Sequence, residues 1–183
     1  MISLVAFLAL VTLAGLAGSR FPPDDAYRRL RKPRWNPPDI VFAPVWTLLY
    51  LAIAVAGWLV WRATDGRWSD AMTFWAAQLV LNAAWSWLFF GRRQIFAALV
   101  DSALMFVAIC GFIVTAAALD SLAAWLFVPY VVWVAFATVL NATIWWMNRG
   151  TPHSGLAASL ASSYVSSECF ASATPNLAPP RPR

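Results

Sequence analysis

The chain has 183 residues, of which 61% are hydrophobic and only 11% charged, with a formal net charge of +5. Soluble domains carry about 25% charged residues, so this composition excludes a soluble globular protein and indicates a membrane one. A bilayer core of about 30 Å takes about 20 apolar residues per helix. Five stretches suit that length, and the expected fold is all-α: an integral membrane bundle of five transmembrane helices.

The first span covers residues 2–18. It has the apolar character of a signal peptide, but no basic residue precedes it and "LAGLAGSRF" matches a cleavage site only loosely, so it reads as a retained helix. The loop that follows holds Arg20, Arg28, Arg29, Arg31, Lys32 and Arg34. It runs into "RKPRWNPPDIVFAPVWTLLY", where Pro33, Pro37 and Pro38 prevent regular helix by removing amide donors and restricting the preceding residues.

The second span, 41–61, carries Trp46 and Tyr50 four residues apart and therefore on one face. On the third, 71–90, Gln78, Asn82 and Trp85 follow helical spacing, and Arg92 and Arg93 come after it. The fourth, 95–119, contains Asp101, the one ionisable side chain well inside a span, and Cys110. Intramembrane carboxyls are costly and often functional; the plainer expectation is that Asp101, two turns from Arg92 and Arg93, snorkels or pairs near the headgroups, with proton coupling as the alternative. Cys110 reads as a small packing residue.

The fifth span, 122–147, places Tyr130, Trp133, Ala137 and Asn141 at helical spacing. These 149 residues form the membrane domain. From Gly150 the sequence is rich in Ser, Ala and Pro and reads as a disordered tail, with "LAASLASSYV" as a transient helix.

The basic residues divide unevenly. Eleven fall on the side shared by the first loop, the loop after span three and the tail, and only Arg62 and Arg67 on the other. By the positive-inside rule the tail side faces the cytoplasm, in the cell membrane, and the net charge reads as topology rather than nucleic-acid binding.

No phosphate loop or metal-ligand spacing is present, and the single histidine, His153, lies in the tail. Twelve tryptophans are the unusual feature. Interfacial belts account for Trp58, Trp61, Trp68, Trp125, Trp145 and Trp146, whereas Trp46, Trp85 and Trp133 lie deeper. Three helices thus carry aromatic-and-amide stripes, and spacing alone leaves open whether these pack helices together or line a pocket for a planar ligand.

"WNPPDIVFAPVWTLLY", "AAQLVLNAAWSWLFF" and "VPYVVWVAFATVLNATIWWMN" together closely resemble signature segments of the TspO/MBR family, the tryptophan-rich sensory proteins or translocator proteins. The resemblance covers residues 1 to about 149. It implies a five-helix membrane protein, commonly a homodimer, that binds porphyrins such as protoporphyrin IX and haem as ligands, without an obligatory cofactor. It also implies a proline-rich lid over the pocket.

On that resemblance Trp35, Asn36 and Phe42 correspond to the lid and pocket mouth, Trp46 and Tyr50 to the second-helix wall, and Asn82 and Trp85 to the third. Tyr130, Trp133, Ala137 and Asn141 correspond to the fifth-helix side. Indole faces would stack on a tetrapyrrole, and the small Ala137 would let a ligand or helix approach. The loop cations are topology and anionic-lipid signals, or partners for propionates.

Two departures stand out: Arg34 occupies a position where some relatives carry tryptophan, and "LNATIWWMNR" lacks the tyrosine of the animal cholesterol motif, which argues against sterol binding. Some family members are reported to degrade porphyrin with light and oxygen, which would make Trp46 and Trp133 the reactive candidates. An ion-coupled transporter using Asp101 is a further alternative.

Overall fold

Residues 3–22 and 25–149 are described by a computed structural model; the remainder, including His153, Cys169 and the helix expected at "LAASLASSYV", lies outside the described residues. Among the described residues all regular structure is helical. The elements are α1 (Leu4–Ser19), α2 (Asp25–Arg29), α3 (Asp39–Ala63), α4 (Asp70–Ser86) with a π-helical turn (Trp87–Gly91), α5 (Ile95–Ala117), α6 (Ser121–Leu126) and α7 (Val128–Asn148).

Residues 40–63, 95–117 and 121–148 are each long and apolar enough to cross a bilayer. The 16 residues of α1 span about 24 Å at 1.5 Å per residue, so that helix reaches across most of the hydrocarbon layer. Residues 70–91 form the remaining crossing, as α4 and its π turn run on without a break.

Local chemistry sets the ends. Ser69 caps α4, its Oγ accepting from Met72 N, and Asp120 Oδ1 caps α6 by accepting from Ala123 N at 3.0 Å. Between α3 and α4 the chain reverses through Asp65 (φ 53°) and Gly66 (φ 75°), both left-handed.

The third and fifth spans differ from expectation. The third does not remain α-helical to residue 90, because Arg92 N donates to Trp87 O at 2.7 Å, five residues back, which inserts one residue into the turn. The fifth is broken at Phe127: Pro129 has no amide to donate and its ring opposes the carbonyl of Trp125, so α6 stops and α7 starts afresh with Pro129 in its first turn. The short α2 had no counterpart in the apolar pattern.

The main core joins α1, α3, α4, α5, α6 and α7 around Phe7, Ile53, Trp75, Ile109, Phe112 and Phe127. Trp75 is its fixed point. Its Nε1 donates to Ile53 O at 2.8 Å, Phe7 meets its ring edge-on at 5.1 Å, and its indole covers Gly57. A second cluster, Phe89, Ala98, Leu140 and Ile144, closes the end of the bundle beneath Tyr27 and Leu30.

Asp101 corrects the sequence expectation. It lies on the inward stripe of α5 with Ala98, Ser102 and Met105, is 6% exposed, and its Oδ2 has no hydrogen-bond partner. Two turns of helix give it the length to reach an interface, but its azimuth on α5 points it into the bundle. Cys110, also on α5, is half-buried and free.

Candidate functional site

A cavity of about 480 Å³ opens within one half of the bundle, inside the range of small-molecule pockets. Phe42 and Trp46 from α3, Trp85 and Phe90 from α4 and its π turn, and Trp133 from α7 supply its aromatic walls. Tyr50, Asn82, Ser86 and Ser102 supply polar atoms, and Ala137 leaves room on the α7 side.

A hydrogen-bond chain runs behind the cavity. Tyr50 Oη donates to Asn82 Oδ1 at 3.0 Å, Asn82 Nδ2 to Tyr130 Oη at 3.3 Å, and Tyr130 Oη to Gln78 Oε1 at 3.0 Å. Gln78 Nε2 ends the chain on Trp75 O at 2.9 Å. Three helices, α3, α4 and α7, are thus tied through groups that would otherwise be unsatisfied in an apolar interior.

Replacing Tyr130 with Phe removes the central hydroxyl and strands Gln78 Oε1 and Asn82 Nδ2. Interhelical bonds in membrane bundles are worth about 0.6 kcal/mol on average and up to about 1.7. Losing two is expected to cost about 1–3 kcal/mol, read as a lower unfolding midpoint in detergent. An unchanged midpoint would show that the chain does not hold the helices.

The sequence-predicted residues separate by position. Phe42, Trp46, Tyr50, Asn82, Trp85, Trp133 and Ala137 line the cavity; Trp35, Asn36, Tyr130 and Asn141 do not. Tyr130 is fully buried behind Trp46, their rings 6.2 Å apart and close to perpendicular. Asn141 is 1% exposed on α7, with neither amide atom hydrogen-bonded. Trp35 lies in the proline-rich strap, 46% exposed, with its ring edge against Phe136 at 5.7 Å, and Asn36 Nδ2 donates to the neighbouring Pro37 O.

Residues on α1 were not anticipated. Gly15 and Gly18 line the cavity, and a Cβ at Gly15 would fall 2.8 Å from Tyr50 Cε2. Glycine at this point lets the Tyr50 ring lie against α1, and an absent side chain leaves no positive mark in a hydropathy pattern. Phe21 and Pro22, just past α1, complete the mouth.

The strap from residue 31 to 38 is non-helical, as its prolines dictate. It is fastened at its base by Asn148 at the end of α7: Arg31 N donates to Asn148 Oδ1 and Asn148 Nδ2 to Arg31 O, both at 3.0 Å. Lys32 Nζ sits 3.6 Å above the Tyr27 ring, and Tyr27 meets Phe89 and Phe90 of the π turn edge-on. None of the strap cations lines the cavity.

Residues 5–147 match the model of the TspO/MBR family. The chain belongs to this family. It is 39% identical over 145 residues to the human Translocator protein, covering 76% of this chain and 86% of that one. It is 38% identical over 157 residues to Tryptophan-rich protein TspO of Chlorobaculum tepidum, covering 80% and 96%. It is also 36% identical over 146 residues to Tryptophan-rich sensory protein of Cereibacter sphaeroides, covering 80% and 91%. As a TspO/MBR protein with multiple apolar helices it is an integral, multi-pass membrane protein.

Proposed function

We propose that this TspO/MBR protein binds a tetrapyrrole, protoporphyrin IX or haem, in the aromatic cavity, and senses, sequesters or carries it. The observation that carries this reading is the wall of rings. Phe42, Trp46, Trp85, Phe90 and Trp133 come from three elements to border one space, which suits a large planar apolar ligand. Tyr50 and Asn82 offer hydrogen bonds at one wall, and the exposed Arg28, Arg29, Arg31 and Arg34 supply positive charge for propionates outside it. The relatives' names, sensory protein and translocator, accord with a ligand-responsive or ligand-moving role.

The test is a dark titration of the purified protein with protoporphyrin IX, followed by tryptophan quenching with inner-filter correction. Saturable quenching at one ligand per chain is the expected result; quenching that rises without saturation would show partition into detergent and end the reading.

Trp46 and Trp133 both border the cavity, which supports a second reading, light- and oxygen-dependent breakdown of the bound porphyrin. Porphyrins photosensitise indoles unaided, so this reading requires turnover beyond one equivalent under light. The distribution of Lys and Arg supports a cell-membrane orientation with the strap and tail on the cytoplasmic side. A cysteine placed at Arg67 should then react with an impermeant thiol reagent from outside; labelling only after lysis would reverse the orientation.

A further inference from the structure

We propose that the ligand enters the cavity sideways from the bilayer, between α3 and α7, with the Phe42 and Trp133 rings as the gate. This inference rests on the ligand reading above.

The seam between these helices is the open side of the bundle. α3 packs on α1, α4 and α6, and α7 packs on α5 and α6, but α3 and α7 are not a closely packed pair. Side-chain rings bridge them instead: Phe42 meets Trp133 edge-on at 5.6 Å, and Trp46 meets Tyr130 at 6.2 Å.

Outside this seam lies an apolar groove of about 520 Å³ bordered by Val45, Leu48, Val132 and Phe136. Trp133 borders both this groove and the inner cavity. A single indole therefore forms part of the wall between the bilayer side and the ligand space.

That indole is free of polar tethers. Trp133 Nε1 is buried and makes no hydrogen bond, whereas Trp75 Nε1 is held by Ile53 O and Trp68 Nε1 by Thr73 Oγ1, each at 2.8 Å. Turning Trp133 breaks only ring contacts. The strap offers a harder route, because displacing it from the end of α7 breaks the paired Asn148 bonds to Arg31. A porphyrin dissolved in the membrane also meets the seam directly, without returning to water.

The experiment measures protoporphyrin IX association and dissociation in liposomes by stopped-flow quenching. It compares the unsubstituted protein, Val132→Trp, which fills the outer groove from a 63% exposed position, and Asn148→Ala, which frees the strap. A barrier changes rates without changing end states. Val132→Trp is therefore expected to slow association and dissociation together by about tenfold, within the range over which association rates respond to mutation, at unchanged Kd. Asn148→Ala should leave both rates as they were.

Leu48→Trp fills the groove from the α3 side and repeats the test should Val132→Trp not fold. Unchanged rates in a folded groove variant, faster association in Asn148→Ala, or slower association with a matching loss of affinity would each overturn the lateral gate. An unsubstituted protein with no saturable binding would overturn the ligand reading itself.

Discussion

Gly57→Val is expected to be the most damaging single substitution in the core, lowering stability by about 3–5 kcal/mol. A Cβ at Gly57 would overlap the Trp75 indole at Nε1. Trp75 cannot yield without cost, since it is 4% exposed, holds Ile53 O through that same nitrogen and is flanked by Phe7. Overpacking of a dense core costs about 1–3 kcal/mol, and the displaced indole would also leave a donor and a carbonyl unpaired in an apolar interior, about 1–3 kcal/mol more. Thermal unfolding in detergent measures the effect against Leu48→Val, a control at a lipid-facing position that is 68% exposed. Equal midpoints for the two variants would show that the indole moves aside freely.

Trp133→Leu is expected to weaken protoporphyrin affinity by about tenfold or more. Aromatic contacts contribute about 0.5–1.5 kcal/mol beyond the area they bury, and a factor of ten corresponds to about 1.4 kcal/mol. Trp133 stands between Phe42 at 5.6 Å and Phe136 at 5.8 Å, so leucine removes one panel of a continuous aromatic wall and keeps its hydrophobicity. The titration must be made on protein whose circular dichroism and elution match the unsubstituted chain. Equal affinity would place the ligand away from α7.

The helical bundle was legible because bilayer thickness converts directly into the length of apolar runs. Much of the cavity wall was legible too: Trp46, Tyr50, Asn82, Trp85 and Trp133 combine aromatic or amide chemistry with helical spacing, and all reach the same space. Periodicity identifies an inward stripe but not what faces it. Tyr130 and Asn141 share a stripe with Trp133 and Ala137, yet Tyr130 turns into the chain between Asn82 and Gln78, while Asn141 is buried away from the cavity. Asp101 shows the same limit, since its distance from the helix end suggested an interface and its azimuth decides otherwise. α1 stayed unread because it is apolar on all sides and contributes glycines, whose effect is space.

The π turn at Trp87–Gly91 gives the chain an unusual sensitivity to length. A turn closed by a bond from residue 92 back to residue 87 holds one residue more than α-helical spacing accommodates. Deleting a single residue there would let the ladder revert to its ordinary period, and everything downstream would rotate by about 100°, the angle per residue of an α-helix. Phe90 would leave the cavity wall, and Gly91, which now gives Phe21 its resting place, would be carried away from that ring. A one-residue shortening in most exposed loops is absorbed locally; here it would uncouple the mouth of the cavity from the helix that supports it.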